Sequence, residues 1–266
     1  MTGVRGPTGA SGVSDRRARD LQVGRIARQL GVPAMDVTGL DDVPVEDLRA
    51  LHAQMTEALF GDAREGFAKI ASLAALLPTP VTALLAERFV PPEMAARVCE
   101  ALAPEAGREL VGRLRTSYLA DVAVLLDPVR ARPVVSAMAA DQVAEVTSEL
   151  FGRGEHAVTA DLVNAVSTAG LAASLAIATP QDVVAVAPLL EWGPALDAAV
   201  AGLPDVRAAA LATELTDAEL ADLAVDVDPA RMGPVVVHLG RRRLGRVRTL
   251  VTQRAGEETA ARLPAR

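Results

Sequence analysis

Three carboxylates, Glu219, Asp222 and Asp226, offer the first chemistry that the residues of this chain suggest. Their i, i+3, i+7 spacing lines them along one face of a helix, while Leu220, Leu223, Ala224 and Val227 occupy the other. Oxygen donors in such a row suit weak binding of a hydrated Mg²⁺ or Ca²⁺ ion, because hard cations take oxygen ligands and Mg²⁺ keeps most of its waters. A solvated polar face is the ordinary alternative and the one this pattern favours; no other cofactor is implied. A second cluster, Arg241, Arg242, Arg243, Arg246 and Arg248, suits nucleic acid, an acidic membrane surface or an acidic partner, with a solvated last helix or one docked on the acidic body of a neighbouring subunit as the favoured alternative. Nucleic acid is disfavoured, since no aromatic side chains are interleaved to stack bases. The acidic middle of the chain is an internal counter-charge for the same arginines.

Enzymatic motifs are missing. Gly61-Asp62-Ala63-Arg64-Glu65-Gly66 has the glycine spacing of a phosphate loop, but Phe67 and Ala68 stand where Lys and Ser/Thr must grip phosphate and Mg²⁺. No G-x-S-x-G elbow occurs, and His52, His156 and His238 are too far apart for a paired zinc site. Cys99 reads as a small core residue with no activating His or Asp beside it in sequence. Ile26-Ala27-Arg28-Gln29-Leu30-Gly31-Val32-Pro33 could open a DNA-binding helix-turn-helix. The continuation, Ala34-Met35-Asp36-Val37-Thr38-Gly39-Leu40-Asp41-Asp42, carries carboxylates that would repel phosphate. A helix with a glycine cap is the preferred reading there.

The elements that position these residues follow from composition and punctuation. Half of the 266 residues are apolar, with only four Phe, one Tyr and one Trp, so the core must be built from Ala, Val and Leu. A buried CH₂ is worth only about 0.8 kcal/mol, which favours an extended stack of closely approaching helices over a compact ball. Net charge is −7, distributed as +4 over residues 1–30, +6 over 240–266 and −17 between them. Lys69 is the sole lysine among 27 basic residues, the usage expected of a GC-rich genome. Mean hydropathy is positive, yet the best apolar stretch, 171–178, stops far short of the ~20 residues that span a bilayer. No apolar segment follows the N-terminal arginines, so a secretory signal is not expected. With its single cysteine, the chain reads as soluble and cytoplasmic.

A long-range echo organises the whole. Residues 118–138 are nearly rewritten 101 positions later at 219–239, sharing Leu119/Leu220, Ala120/Ala221, Asp121/Asp222, Asp127/Asp228, Pro128/Pro229, Arg130/Arg231, Pro133/Pro234 and Val134/Val235. Helix-start signals recur about every dozen residues: Thr79-Pro80, Pro91-Pro92, Pro104-Glu105, Ser117, Asp127-Pro128, Asp141, Thr168, Thr179-Pro180, Gly193-Pro194, Pro204-Asp205, Thr216 and Asp228-Pro229. Glu219 three residues after Thr216 predicts a capping box. Two helices and their turns make about 25 residues, and four such pairs account for the offset of 101. Pro133 and Pro234 are expected inside the helices that Asp127 and Asp228 cap, kinking both. Residues 1–20, with little to bury, are expected to be disordered. The boundaries follow as an N-terminal helical segment at 21–66, a repeat domain at 67–253 and a tail at 254–266.

Leu125-Leu126-Asp127-Pro128-Val129-Arg130-Ala131, leading to Met138-Ala139-Ala140-Asp141-Gln142-Val143-Ala144-Glu145-Val146, resembles the cytoplasmic N domain of MgtE-type magnesium channels. That domain is a superhelix of short helix pairs, also related to the middle domain of the flagellar switch protein FliG. The resemblance covers about 78–240. It implies the fold and a capacity to respond to divalent cations; it assigns no individual ligand. Transport does not carry over, because neither a membrane block nor paired nucleotide-sensing domains accompany the match. The expected protein is therefore all-α, a superhelical, α-solenoid-like stack of short antiparallel helix pairs. Its expected function is that of a non-enzymatic scaffold or regulatory adaptor binding a protein partner. Divalent-cation sensing and nucleic-acid association through the arginines stand behind that reading.

Overall fold

Proline and cap residues cut the chain into short helices at the positions the sequence marks. The computed structural model describes residues 9–265 apart from 38, 41, 75 and 191. It is all-α, with no strand among the described residues. The helices are α1 (Gly9–Leu30), α2 (Val45–Phe60), α3 (Arg64–Ala74), α4 (Thr79–Phe89), α5 (Pro92–Cys99) and α6 (Pro104–Val111). There follow α7 (Thr116–Ala123), α8 (Pro128–Val135), α9 (Ala140–Gly152), α10 (His156–Leu162), α11 (Thr168–Ile177) and α12 (Pro180–Val186). The last are α13 (Pro194–Ala201), α14 (Asp205–Glu214), α15 (Asp217–Val227), α16 (Gly233–Val236), α17 (Arg241–Ala255) and α18 (Glu257–Ala261). Turns of 3-10 helix lie at Ala34–Asp36, Ala187–Leu189 and Pro229–Met232.

Every marked start opens a helix or 3-10 turn within a residue or two. Unmarked starts follow other devices: α10 begins just beyond Gly154, whose φ of 74° ends α9 as only glycine does without strain. Two expectations fail. Residues 9–20, expected to be disordered, belong to α1, with no proline between 8 and 32 to interrupt it. Pro234 does not lie inside a helix as Pro133 does within α8; it occupies the first turn of α16, where a missing N–H costs nothing. Residues 1–8 lie outside the described residues, as do Thr38 and Asp41 of the helix-turn-helix candidate. The segment that would be its recognition helix is instead a single 3-10 turn at Ala34–Asp36.

The chain divides into two compact units. The first takes the chain up to Leu59 together with Ala187–Leu189 and Ala208–Arg266; the second takes Phe60–Val186 and Leu190–Arg207. The stretch 67–253 thus contributes to both, and 254–266 carries α18, anchored by buried Ala260 and Leu263.

In the second unit each helix packs against the next but one. One row runs α3, α5, α7, α9, α11, α13; the other runs α4, α6, α8 and, further on, α10, α12. This alternation is what stacked antiparallel pairs produce, since a helix three turns long persists only against neighbours. Starts at Pro92, Thr116 and Ala140, at Pro104 and Pro128, and at His156 and Pro180 recur every 24 residues. Side-chain hydrogen bonds link one pair to the next across 27–31 residues. Tyr118 Oη donates to the Val90 carbonyl at 2.9 Å, Gln142 Nε2 to that of Val111 at 2.6 Å, and the Thr147 and Ser174 hydroxyls lie 3.0 Å apart. Arg97 donates to the Leu125 carbonyl. The interior includes Leu119, Ala120, Val134, Val146, Leu150 and Val158.

In the first unit α15 packs on α17 and α17 on α18, with α1 against the 3-10 turns at Ala34–Asp36 and Ala187–Leu189. Gln29 Nε2 donates to the buried Thr56 hydroxyl at 3.0 Å, tying α1 to α2.

Candidate functional site

The acidic stripe does not assemble into an ion site. Thr216 and Glu219 form the expected capping box: the Thr216 amide and hydroxyl both donate to the Glu219 carboxylate at 2.7 Å, and the Glu219 amide donates back to Thr216 Oγ1 at 3.2 Å. Those bonds hold the Glu219 carboxyl below the usual carboxylate range. Asp222 lies 3.2 Å from Arg254 Nη1. Glu219, Asp222 and Asp226 share a helix face without converging. Among the described residues, no group of three or more His, Cys, Asp or Glu side chains is placed to hold a metal ion.

Most of the arginine cluster has a structural task. Three arginines in the first turn of α17 oppose its dipole, which favours negative charge at that end. Asp217 supplies it: Arg243 Nε lies 2.7 Å from its Oδ1 and Arg246 Nε 2.5 Å from its Oδ2. The two guanidinium groups hold the Asp217 carboxyl below the usual range. Arg243 also donates to the Ala212 and Leu215 carbonyls, Arg254 to that of Ala218 at 2.6 Å, and Arg248 to that of Leu263 at 3.2 Å. The cluster is a clamp between α17 and the region around α15, and Arg241 and Arg242 remain exposed on its first turn.

The histidines do not form a shared site among the described residues. His156 Nε2 lies 3.0 Å from Asp182 Oδ1, and its ring stacks on Phe151 with centroids 5.5 Å apart. Burial, reinforced by the neighbouring Glu100 carboxylate, pushes the Cys99 thiol up to about 12, the opposite of what a nucleophile needs.

What sequence reasoning missed is an apolar face at the start of the second unit. Of seventeen large apolar side chains exposed on the described chain, nine fall within residues 70–94. On α4, Val81, Leu84, Leu85 and Phe89 recur at helical spacing and face solvent, while Thr82 and Ala83 are buried on the other side. Leu73 on α3 and Leu76 and Leu77 in the connecting turn extend the face, with Leu76 81% and Phe89 70% exposed. Exposed large apolar side chains concentrated in this way mark a candidate interaction surface. α3 and α4 are the first pair of their rows, so this is the terminal surface of a stack. Helical periodicity marks a side as apolar without saying what covers it.

A second feature is internal. Between the two rows of the second unit lies a cavity of about 140 Å³, lined among others by Leu119, Ala123, Val134, Val146, Leu162 and Leu175.

No helix of the described chain is long and apolar enough to cross a membrane. Compared with known proteins, the chain matches no family model, no curated sequence and no solved structure.

Proposed function

We propose that the protein is a non-enzymatic scaffold or regulatory adaptor that holds a protein partner on the apolar face of α3 and α4. The observation that carries this reading is the concentration of nine exposed large apolar side chains within residues 70–94. Helical-repeat stacks need a polar outer face on their terminal pair to remain soluble and monomeric. Here the first pair instead exposes large apolar side chains. A cytoplasmic setting fits the single free, half-buried cysteine. The likeness to the helix pairs of MgtE-type N domains supports the same architecture for the second unit, with binding in place of transport.

The test compares the wild-type chain with the Leu84→Asp and Phe89→Asp variants as bait in lysate of the source cell. A specific protein retained by wild type and lost with either variant, at unchanged helical circular dichroism and melting midpoint, supports the reading. Identical recovery by all three baits removes it. Sedimentation of the purified chain shows whether the partner is a second copy.

A further inference from the structure

We propose that the cavity between the two helix rows of the second unit is a binding site for a small, uncharged apolar molecule about the size of a single six-membered ring. This site uses residues other than the face on α3 and α4 and does not depend on that reading.

Volume sets the size. An apolar space of about 150 Å³ takes up benzene rather than water, and the partly open space here is about 140 Å³.

The wall sets the chemical class. Its few polar side chains are already engaged with the protein. The Thr147 and Ser174 hydroxyls lie 3.0 Å from each other, and Thr159 Oγ1 donates to the Glu155 carbonyl at 3.3 Å. Asp182 Oδ2 accepts from the Thr179 amide at 3.0 Å and from its hydroxyl at 2.6 Å, while Oδ1 faces His156 Nε2. Everything else that lines the space is aliphatic, aromatic or the Cys99 thiol. A ligand entering it gains dispersion contacts from many methyl groups and meets no partner for a charge, so a polar molecule would lose its hydration without replacement. The one charged wall group is a carboxylate, which further disfavours an anionic chain end.

Two contacts limit how far the space can close. At Gly107 on α6 the backbone lies so near α8 that an added Cβ would stand 2.6 Å from Val134 Cγ1. At Gly170 on α11 an added Cβ would stand 2.6 Å from Val166 Cγ1 and 3.2 Å from both Val143 methyl groups. Val134, Val143 and Val166 are themselves cavity walls. At these two points the walls already approach closely beside the cavity, which limits how far they can move inward to fill it.

The experiment titrates the full chain with toluene, read by the thermal midpoint and by saturation-transfer NMR of the ligand. A saturable rise of about 3–5 °C at ten times the dissociation constant is expected. Hexanoate, similar in bulk but charged, is expected to give neither signal. Ala123→Leu fills the space from α7 and abolishes both toluene signals while helical circular dichroism is retained; Val146→Phe does the same from α9, should the first variant not fold. No saturable toluene response in the wild-type chain overturns the proposal, as does an undiminished response in a folded, filled variant. An equal response to hexanoate overturns the assignment of ligand class.

Discussion

In the first copy of the echoed pattern, Asp127 caps α8 from an ordinary extended backbone, φ −81°; in the second, Asp228 caps a 3-10 turn at φ +75°. Both side chains accept amide hydrogens from the turn that follows, Asp127 from Val129 and Arg130 and Asp228 from Ala230. Their other partners differ. The Asp127 amide donates to buried Glu100 Oε1 at 3.0 Å, one pair earlier in the stack. Asp228 Oδ2 instead faces Arg231 at 3.2 Å and Arg262 at 2.5 Å. Burial nevertheless keeps register: Ala120 and Ala221, Val134 and Val235, and Val135 and Val236 are all enclosed. The repeated sequence specifies which side chains go inside, and the neighbours decide what backbone path brings them there.

The sharpest break between the copies should come from their leucines. Leu220 is fully enclosed, whereas Leu119 is 8% exposed and borders the cavity. Leu220→Ala should therefore cost about 4–5 kcal/mol and Leu119→Ala about 2–3 kcal/mol in chemical denaturation. Equal losses would mean that the two interiors are packed alike.

Next is the helix preceding each copy, where Gly107 in one corresponds to Ala208 in the other. Gly107→Ala forces a methyl group onto Val134 and should destabilise by about 1–3 kcal/mol, although alanine is the better helix former. Ala208→Gly should lose about 1 kcal/mol from backbone freedom and the vacated methyl. A stabilised Gly107→Ala variant would show that the first copy is looser than its geometry indicates.

Smaller still is the effect of glycine at the two caps. Asp127→Gly should cost about 1 kcal/mol through the weakened cap and added chain freedom. Asp228→Gly should be nearly neutral, because glycine relieves the positive φ while the cap and the arginine contacts are lost.

Acid sharpens the contrast with opposite signs. Arg243 and Arg246 hold Asp217 below its unfolded value, so its stabilisation is complete above that value and fades as pH falls through the folded one, below about pH 4. Burial raises Glu100 despite Arg97, so its contribution is greatest at low pH and is lost as pH rises through the raised value. Asp217→Asn should flatten the acid loss of stability by less than about 1 kcal/mol, since the pair is partly solvated. Glu100→Gln should steepen it. Parallel pH profiles for the two variants would contradict the assignment. The least demanding check is Cys99, whose modification by a thiol reagent at neutral pH should track unfolding rather than run ahead of it.

Helix breaks were legible in the sequence because Pro, Asp and Thr act within one turn of where they sit. Asp127-Pro128 and Thr216 with Glu219 needed no tertiary information to be read as caps. The role of Arg243 was not legible, since its counter-charge Asp217 lies 26 residues away and was hidden within a generally acidic middle. The exposure of the apolar face of α4 was not legible for a related reason: Val81, Leu84 and Leu85 have the spacing of any buried stripe.

Composition and local chemistry alone made this chain helical, set where its helices begin, and gave each one an apolar side, because those preferences are decided among residues a few positions apart. Which sides are covered, where the interior stays hollow between Gly107 and Gly170, and which carboxylate answers each arginine were decided only in three dimensions. Each of those outcomes depends on a neighbour about one helix pair away in sequence, and periodicity is silent about what that neighbour brings.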